Sequence, residues 1–164
     1  MNKIDLSKGF VDISDPCYSK DTWCRTNNIK VKPGKYNCYM ILSDENEWGM
    51  RVKESYIIHE DYKESDVFPI CDHIAVIGVD AGLAGYMPSE IETLNKSGDV
   101  WSDFCYSIGR ENEILYNNCY ITSSGYGDGS YPVYGAKEKG KEEYIALRIL
   151  FIDVDSNENE DDYE

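Results

Sequence analysis

Histidine is scarce in this chain: two in 164 residues, His59 and His73. With so few imidazoles, and no Cys-x-x-Cys pair among the cysteines, a structural zinc site is not expected. Basic residues are also few, 16 against 31 acidic ones, for a formal charge of −15. Part of that charge sits at the end, where Asp153, Asp155, Glu158, Glu160, Asp161, Asp162 and Glu164 bring seven negatives and no positive. The body that remains still carries about −8. A field of that sign repels nucleic-acid backbones and argues against general DNA or RNA binding. It is compatible with a small anion held in a local cationic pocket, and with a partner whose surface is basic.

Other absences narrow the chemistry further. No apolar run reaches the length of a membrane span, so no membrane association is expected. The opening Met-Asn-Lys-Ile-Asp-Leu-Ser has no signal-like stretch, which predicts a cytoplasmic protein. Cysteines 17, 24, 38, 71, 105 and 119 are then expected as free thiols. There is no Gly-Lys-Ser/Thr ending of a P-loop and no Gly-x-Ser-x-Gly elbow. Cys71 and His73 lie two apart but lack a third orienting group, so Cys–His catalysis is not supported.

What the chain does have is strand chemistry. It is 41% hydrophobic and 13% aromatic, with 14 tyrosines, a composition that folds rather than stays disordered. Tyrosine suits half-buried strands and binding surfaces alike. Short strand-like runs recur between turn signals: Gly9 to Ile13, Lys35 to Leu42, Trp48 to His59, His73 to Val79, Ile114 to Thr122 and Tyr144 to Val154. The second and third of these predict an antiparallel hairpin. His73 to Val79 is apolar on both faces, which predicts a strand in the middle of a sheet. Pro88 introduces one short helix, and Val100 to Gly109 reads as another. The expected fold is therefore mainly β: an antiparallel sheet or sandwich with one or two short helices around 89–109. Residues 1–152 are expected to form a single strand-rich domain, and 153–164 an acidic, disordered tail.

The sharpest motif is Ser124-Gly125-Tyr126-Gly127-Asp128-Gly129-Ser130-Tyr131-Pro132. Alternate glycines let the backbone take positive φ and approach a ligand closely, and successive amides in such a loop can cradle an anion. A plain turn with Asp128 bonded to its own backbone is the competing reading. Asp80, delivered by the run before it, is the second candidate carboxylate. Asp80 and Asp128 together could divide acid and base work, or hold Ca²⁺ or Mg²⁺. Arg51 and Arg148, in strand-like runs, are candidates to neutralise an anionic ligand, with Tyr126, Tyr131 and Tyr134 available for stacking. The ligand-binding set is thus Gly125, Tyr126, Gly127, Asp128, Gly129, Ser130, Tyr131, Asp80, Arg51 and Arg148.

Gly78-Val79-Asp80-Ala81-Gly82 together with the glycine motif through Val133-Tyr134 resembles the hallmark pair of an uncharacterised family, a domain of unknown function found in bacteria and their phages. Asp15-Pro16, Pro33-Gly34-Lys35-Tyr36 and Arg51-Val52 resemble its weaker anchors. Members often continue from Pro-x-Tyr into Trp-Gly, whereas this chain has Gly135-Ala136. The resemblance implies that the Asp80 and Asp128 regions belong together, but it brings no activity with it. It also implies conflict biology: an immunity or counter-defence protein, acting in the host cytoplasm if phage-encoded. The function expected is a non-enzymatic binding protein without a cofactor, which sequesters a small anionic or nucleotide ligand or caps a protein partner. The alternative is a small hydrolase using Asp80 and Asp128, with Ca²⁺ or Mg²⁺ as the possible metal.

Overall fold

Turn residues at short intervals cut this chain into strands rather than helices, and a computed structural model describes residues 2–91, 108 and 111–153. Six strands form one antiparallel sheet: β1 (Asn2–Asp5), β4 (Lys35–Asp44), β5 (Met50–His59), β11 (Tyr144–Leu150), β10 (Gly129–Lys137) and β6 (Asp72–Val79), in that spatial order. Five form the second: β3 (Thr26–Lys30), β2 (Phe10–Ser14), β7 (Leu83–Pro88), β9 (Cys119–Ser123) and β8 (Glu113–Tyr116). The largest core cluster draws Ile57, Val133, Leu147 and Ile149 from the first sheet and Val11, Ile13, Tyr86 and Tyr120 from the second. The expected β sandwich is therefore the fold. The helical elements bounded within the described residues are a 3-10 turn at Asn46–Trp48 and a single turn α1 (Glu64–Val67), and Ile108 and Glu111 are helical as well. Pro88 closes β7 and Ser89 and Glu90 form a turn, so the helix expected to open at Pro88 does not begin there, while Ile108 is helical as expected; the rest of 89–109 and the acidic tail from 154 onward fall outside the described residues.

Tyrosine accounts for much of the core. Tyr36, Tyr86 and Tyr120 are wholly buried. Each keeps its hydroxyl bonded: Tyr36 to the Lys32 carbonyl (2.7 Å), Tyr86 to the Ser55 carbonyl (2.9 Å) and Tyr120 to Glu113 (2.7 Å). A buried hydroxyl with a partner avoids the desolvation penalty that an orphan would carry.

The β4–β5 hairpin forms as expected, with one irregularity that matters below. Ile41 pairs with Glu54 and Leu42 with Val52, so Lys53 is an extra residue, a β-bulge. Strict alternation would place Trp48, Met50, Val52, Tyr56 and Ile58 on one face. Instead Val52 and Ile57 enter the intersheet core, while Tyr56 and Ile58 pack on the outer face beneath Val67 and Ile70. Trp48 and Met50, beyond the bulge, are 63% and 54% exposed.

The strand His73 to Val79 departs from expectation. It is an edge strand, not a central one. Ile77 and Val79 are buried, but His73 is exposed and Val76 is 54% exposed. Its free side is partly covered by the irregular 16–25 segment, where the Cys24 carbonyl accepts the Gly78 N–H (3.0 Å). That cover lets an apolar strand lie at an edge. The stretch Ile114 to Thr122 resolves into two strands, because Asn117 and Asn118 both adopt positive φ and reverse the chain. Cys17, Cys24, Cys38, Cys71 and Cys119 are free thiols; Cys105 falls outside the described residues.

Candidate functional site

Four segments that are distant in sequence meet at one end of the sandwich. The first is Asp15, which is fully buried behind Pro16. Its Oδ1 accepts the Cys17 N–H (2.8 Å), and its Oδ2 accepts the N–H groups of Asp80 (2.9 Å) and Ala81 (2.8 Å). A carboxylate receiving three amides holds the turn after β6 firmly. The next link is the Gly82 carbonyl, which accepts the Ser124 N–H (3.1 Å), so the turn lies directly against the glycine loop. A Cβ on Gly82 would stand 3.8 Å from the Gly127 Cα.

The ladder between β6 and β10 ends with Val79 opposite Gly129. Asp80 and Asp128 are each the next residue outward, both exposed. Two carboxylates from different strands thus share one strand end. Burial raises the Tyr18 hydroxyl pKa to about 12, with the Cys24, Asp15 and Asp80 charges adding, which locates Tyr18 beside the same rim. Burial also raises Tyr131, and the Asp128 charge adds to it. Among the described residues no group of three or more His, Cys, Asp or Glu side chains gathers around a point where a metal could sit.

The glycine loop is ordered by its own bonds. Gly127 N–H reaches the Ser124 carbonyl (2.8 Å), and Ser124 Oγ–H reaches the Gly127 carbonyl (2.8 Å). The Tyr131 hydroxyl is shared between the carbonyls of Gly127 (2.6 Å) and Ser124 (3.1 Å). Tyr131 is therefore a buried strut under the loop, packed edge-on against Phe151. Gly125 has φ +58°, and a Cβ there would approach the Phe151 Cβ at 3.1 Å and Ile152 Cγ1 at 3.2 Å. Gly127, at φ +106°, has open space in front of it. The loop's close backbone approach is thus to the protein's own core at Gly125. Ser130 remains exposed at its foot.

Arg51 clamps the loop from the hairpin side. Its guanidinium donates to the Gly125 carbonyl (3.1 Å) and the Trp48 carbonyl (3.2 Å), and lies 4.8 Å from the centre of the Tyr126 ring. The Tyr126 hydroxyl donates to Glu45 (2.6 Å), yet the residue stays 51% exposed. Tyr126 is held in place and still presents a face to solvent.

The other predicted cation, Arg148, has different partners. It bonds Glu54 through Nε (3.3 Å) and NH2 (2.9 Å), bonds the Ile70 carbonyl (3.2 Å), and stacks on Tyr134. It lines a separate cleft on the outer face of the six-stranded sheet. Arg51, Tyr126, Asp80, Asp128 and the three glycines come together; Arg148 does not join them.

One prominent residue at this end was missed in the sequence. Trp23 is 92% exposed, although its neighbours are fixed. Cys24 bonds Gly78 through its carbonyl, and buried Arg25 is tied to Asp12 (2.7 Å), the Tyr18 carbonyl (2.8 Å) and Asn27 (2.7 Å). The available signal was a tryptophan in a polar, patternless stretch, with no strand or helix face on which to bury it.

No family model, curated protein or solved structure matches the chain.

Proposed function

We propose that the protein is a binding module that caps a basic partner protein with the rim formed by Trp23, Asp80, Asp128, Tyr126 and the β4–β5 tip. The observation that carries this reading is the outward display of aromatic side chains on a pinned backbone. Trp23 projects between anchored residues, and Tyr126 is braced by Arg51 and Glu45. Tryptophan, tyrosine and arginine dominate binding energy at protein interfaces and methionine is enriched there, and Tyr126, held by Arg51 and Glu45, has little side-chain freedom left to lose.

The charge of the rim supports a basic partner. Asp44, Glu47, Asp80 and Asp128 are exposed around these aromatics, on a chain of net charge −15. Such a surface attracts a basic protein and repels polyanions. The glycine loop supports the same reading. Its Gly127 amide and the carbonyls of Ser124, Gly125 and Gly127 are bonded within the protein, which makes the loop a fixed scaffold for Tyr126.

Site-specific photo-crosslinking tests this. A benzophenone amino acid in place of Trp23, of Trp48, or of the exposed Glu60 as a control would be irradiated in the cells that make the protein. The expected result is one basic protein crosslinked from positions 23 and 48 and absent from position 60. Equal adducts from all three positions, or none from 23 and 48, would overturn the proposal.

A further inference from the structure

A second site lies on the outer face of the six-stranded sheet. It is a cleft of about 300 Å³ lined by Lys53, Cys71, Tyr134, Arg148, Leu150 and Ile152, with Asp153 among its walls. We infer that this cleft binds a small organic monoanion, a carboxylate with an apolar body, through Lys53, Arg148 and Tyr134. The inference does not depend on the partner-binding rim.

The β-bulge creates the site. Lys53 is the unpaired extra residue of β5, and its carbonyl accepts both the Phe151 N–H (2.9 Å) and the Ile152 N–H (3.0 Å). Those two bonds tie the end of the last strand to the bulge, while the Lys53 side chain lines the cleft. Bulges commonly re-aim a side chain in this way beside functional sites. Among the described residues, neither the Lys53 ammonium nor the Tyr134 hydroxyl has a hydrogen-bond partner. Arg148 uses three of its five N–H groups on Glu54 and Ile70, which fixes the guanidinium and leaves two donors. The cleft is therefore rich in donors, of which the Arg148 guanidinium is fixed, with Leu150 and Ile152 as its apolar residues.

Charge decides the ligand class. Lys53 and Arg148 are balanced by Glu54, already bonded to Arg148, and by Asp153. A neutral cleft on a chain of −15 is a local island that one negative charge can enter. A phosphate dianion would meet the two carboxylates with twice the charge. A carboxylate suits the planar guanidinium and needs no more donors than are present.

Cys71 provides the readout, since its exposed thiol lines the same cleft. Alkylation forms an S–C bond, releases iodide and loses the thiol proton, with either anionic iodoacetate or neutral iodoacetamide. The rates at Cys71 in the full chain would be compared, by mass spectrometry, with those of a free peptide of residues 68–74. The surface of a polyanion should disfavour iodoacetate. The expected result is the reverse: an iodoacetate-to-iodoacetamide ratio raised about threefold over the peptide, the scale of one partly exposed charge interaction. Benzoate should slow the reaction while benzamide does not, and Lys53→Gln should return the ratio to the peptide's value. A ratio at or below the peptide's, equal protection by benzamide, or better protection by phenyl phosphate would each overturn the inference. Benzoate protection of the unmodified chain decides the matter even if Lys53→Gln folds poorly, and loss of the rim's crosslinks would leave this result unchanged.

Discussion

Asp12 shows how much of this fold depends on single buried charges. Its carboxylate is wholly buried and accepts bonds from Arg25 (2.7 Å), Ser89 Oγ (2.7 Å) and the Asn28 amide (2.8 Å). Burial pushes its pKa upward, but the bonds from Ser89, Arg25 and Asn28 outweigh it and hold the carboxyl below the ordinary 3.8. A depressed folded-state pKa stabilises the fold at pH above the unfolded value, and that contribution is lost as the pH falls through 3.8 toward the folded value. Asp12→Ala should therefore cost about 3–5 kcal/mol in urea unfolding at pH 7, because it leaves the buried Arg25 charge without its carboxylate. The difference from the unmodified chain should narrow below pH 3.8; a constant difference across that range would contradict the assignment. Asp12 carried no signal in the sequence, and Asp15 entered only through the family resemblance, with nothing to show that the amides it holds lie 65 and 66 residues away. Long-range polar ties of this kind leave no periodic trace.

The glycine loop separates two roles that its sequence runs together. Gly125 and Gly127 both adopt positive φ, but only Gly125 faces packed atoms. Gly127→Ala should cost about 1–2 kcal/mol, the penalty for placing a Cβ in the left-handed region. Gly125→Ala adds overpacking against Phe151 and Ile152, and should cost a further 1–3 kcal/mol or about that. Thermal unfolding of the two variants checks the order; a Gly127→Ala variant that is the less stable would contradict it. At this scale the sequence was informative where pattern is local. The hairpin from Lys35 to His59 follows directly from residue order, whereas the alternation of the last strand holds only in part: Leu147, Ile149 and Phe151 share the intersheet core, but Ile145, in step with them in the sequence, packs with Ala146 in the outer cluster. Four strands left too little signal: β1 is short and polar, β7 carries a glycine and ends in proline, and β8 and β9 merge unless the Asn117-Asn118 reversal is recognised. The misplaced β6 has a different cause. Burial of an apolar strand can come from a covering loop as well as from a neighbouring strand, and composition does not distinguish the two.

Over the whole molecule, the charge of −15 acts against the compact state, since like charges are brought closer on folding. The Debye length falls from about 30 Å at 0.01 M salt to about 8 Å at 0.15 M, so added salt relieves that repulsion. The melting temperature should rise by about 2–4 °C between those conditions, which corresponds to about 1 kcal/mol for a chain of this size. A flat or falling melting temperature would mean that attractive surface pairs outweigh the net charge. The buried Asp12–Arg25 pair is shielded from solvent and should contribute nothing to the salt dependence. The candidate site was half legible at this scale. Asp80, Asp128, Arg51 and Tyr126 were all singled out, and the sheet register brings them to one end. Arg148 was assigned to the same group, because a linear reading cannot tell which face of a sheet an arginine occupies.

The bulge at Lys53 has a consequence for chain length. Pairing is regular on both sides of it, Ile41 with Glu54 and Leu42 with Val52. Excising that one residue would leave every strand partner in place and each core side chain on its own face. It would remove the acceptor for two amides and the ammonium of the outer cleft together. Chains built on this plan that differ by a single in-frame codon at that point would share the same sandwich and the same rim, and only the longer ones would carry the cleft.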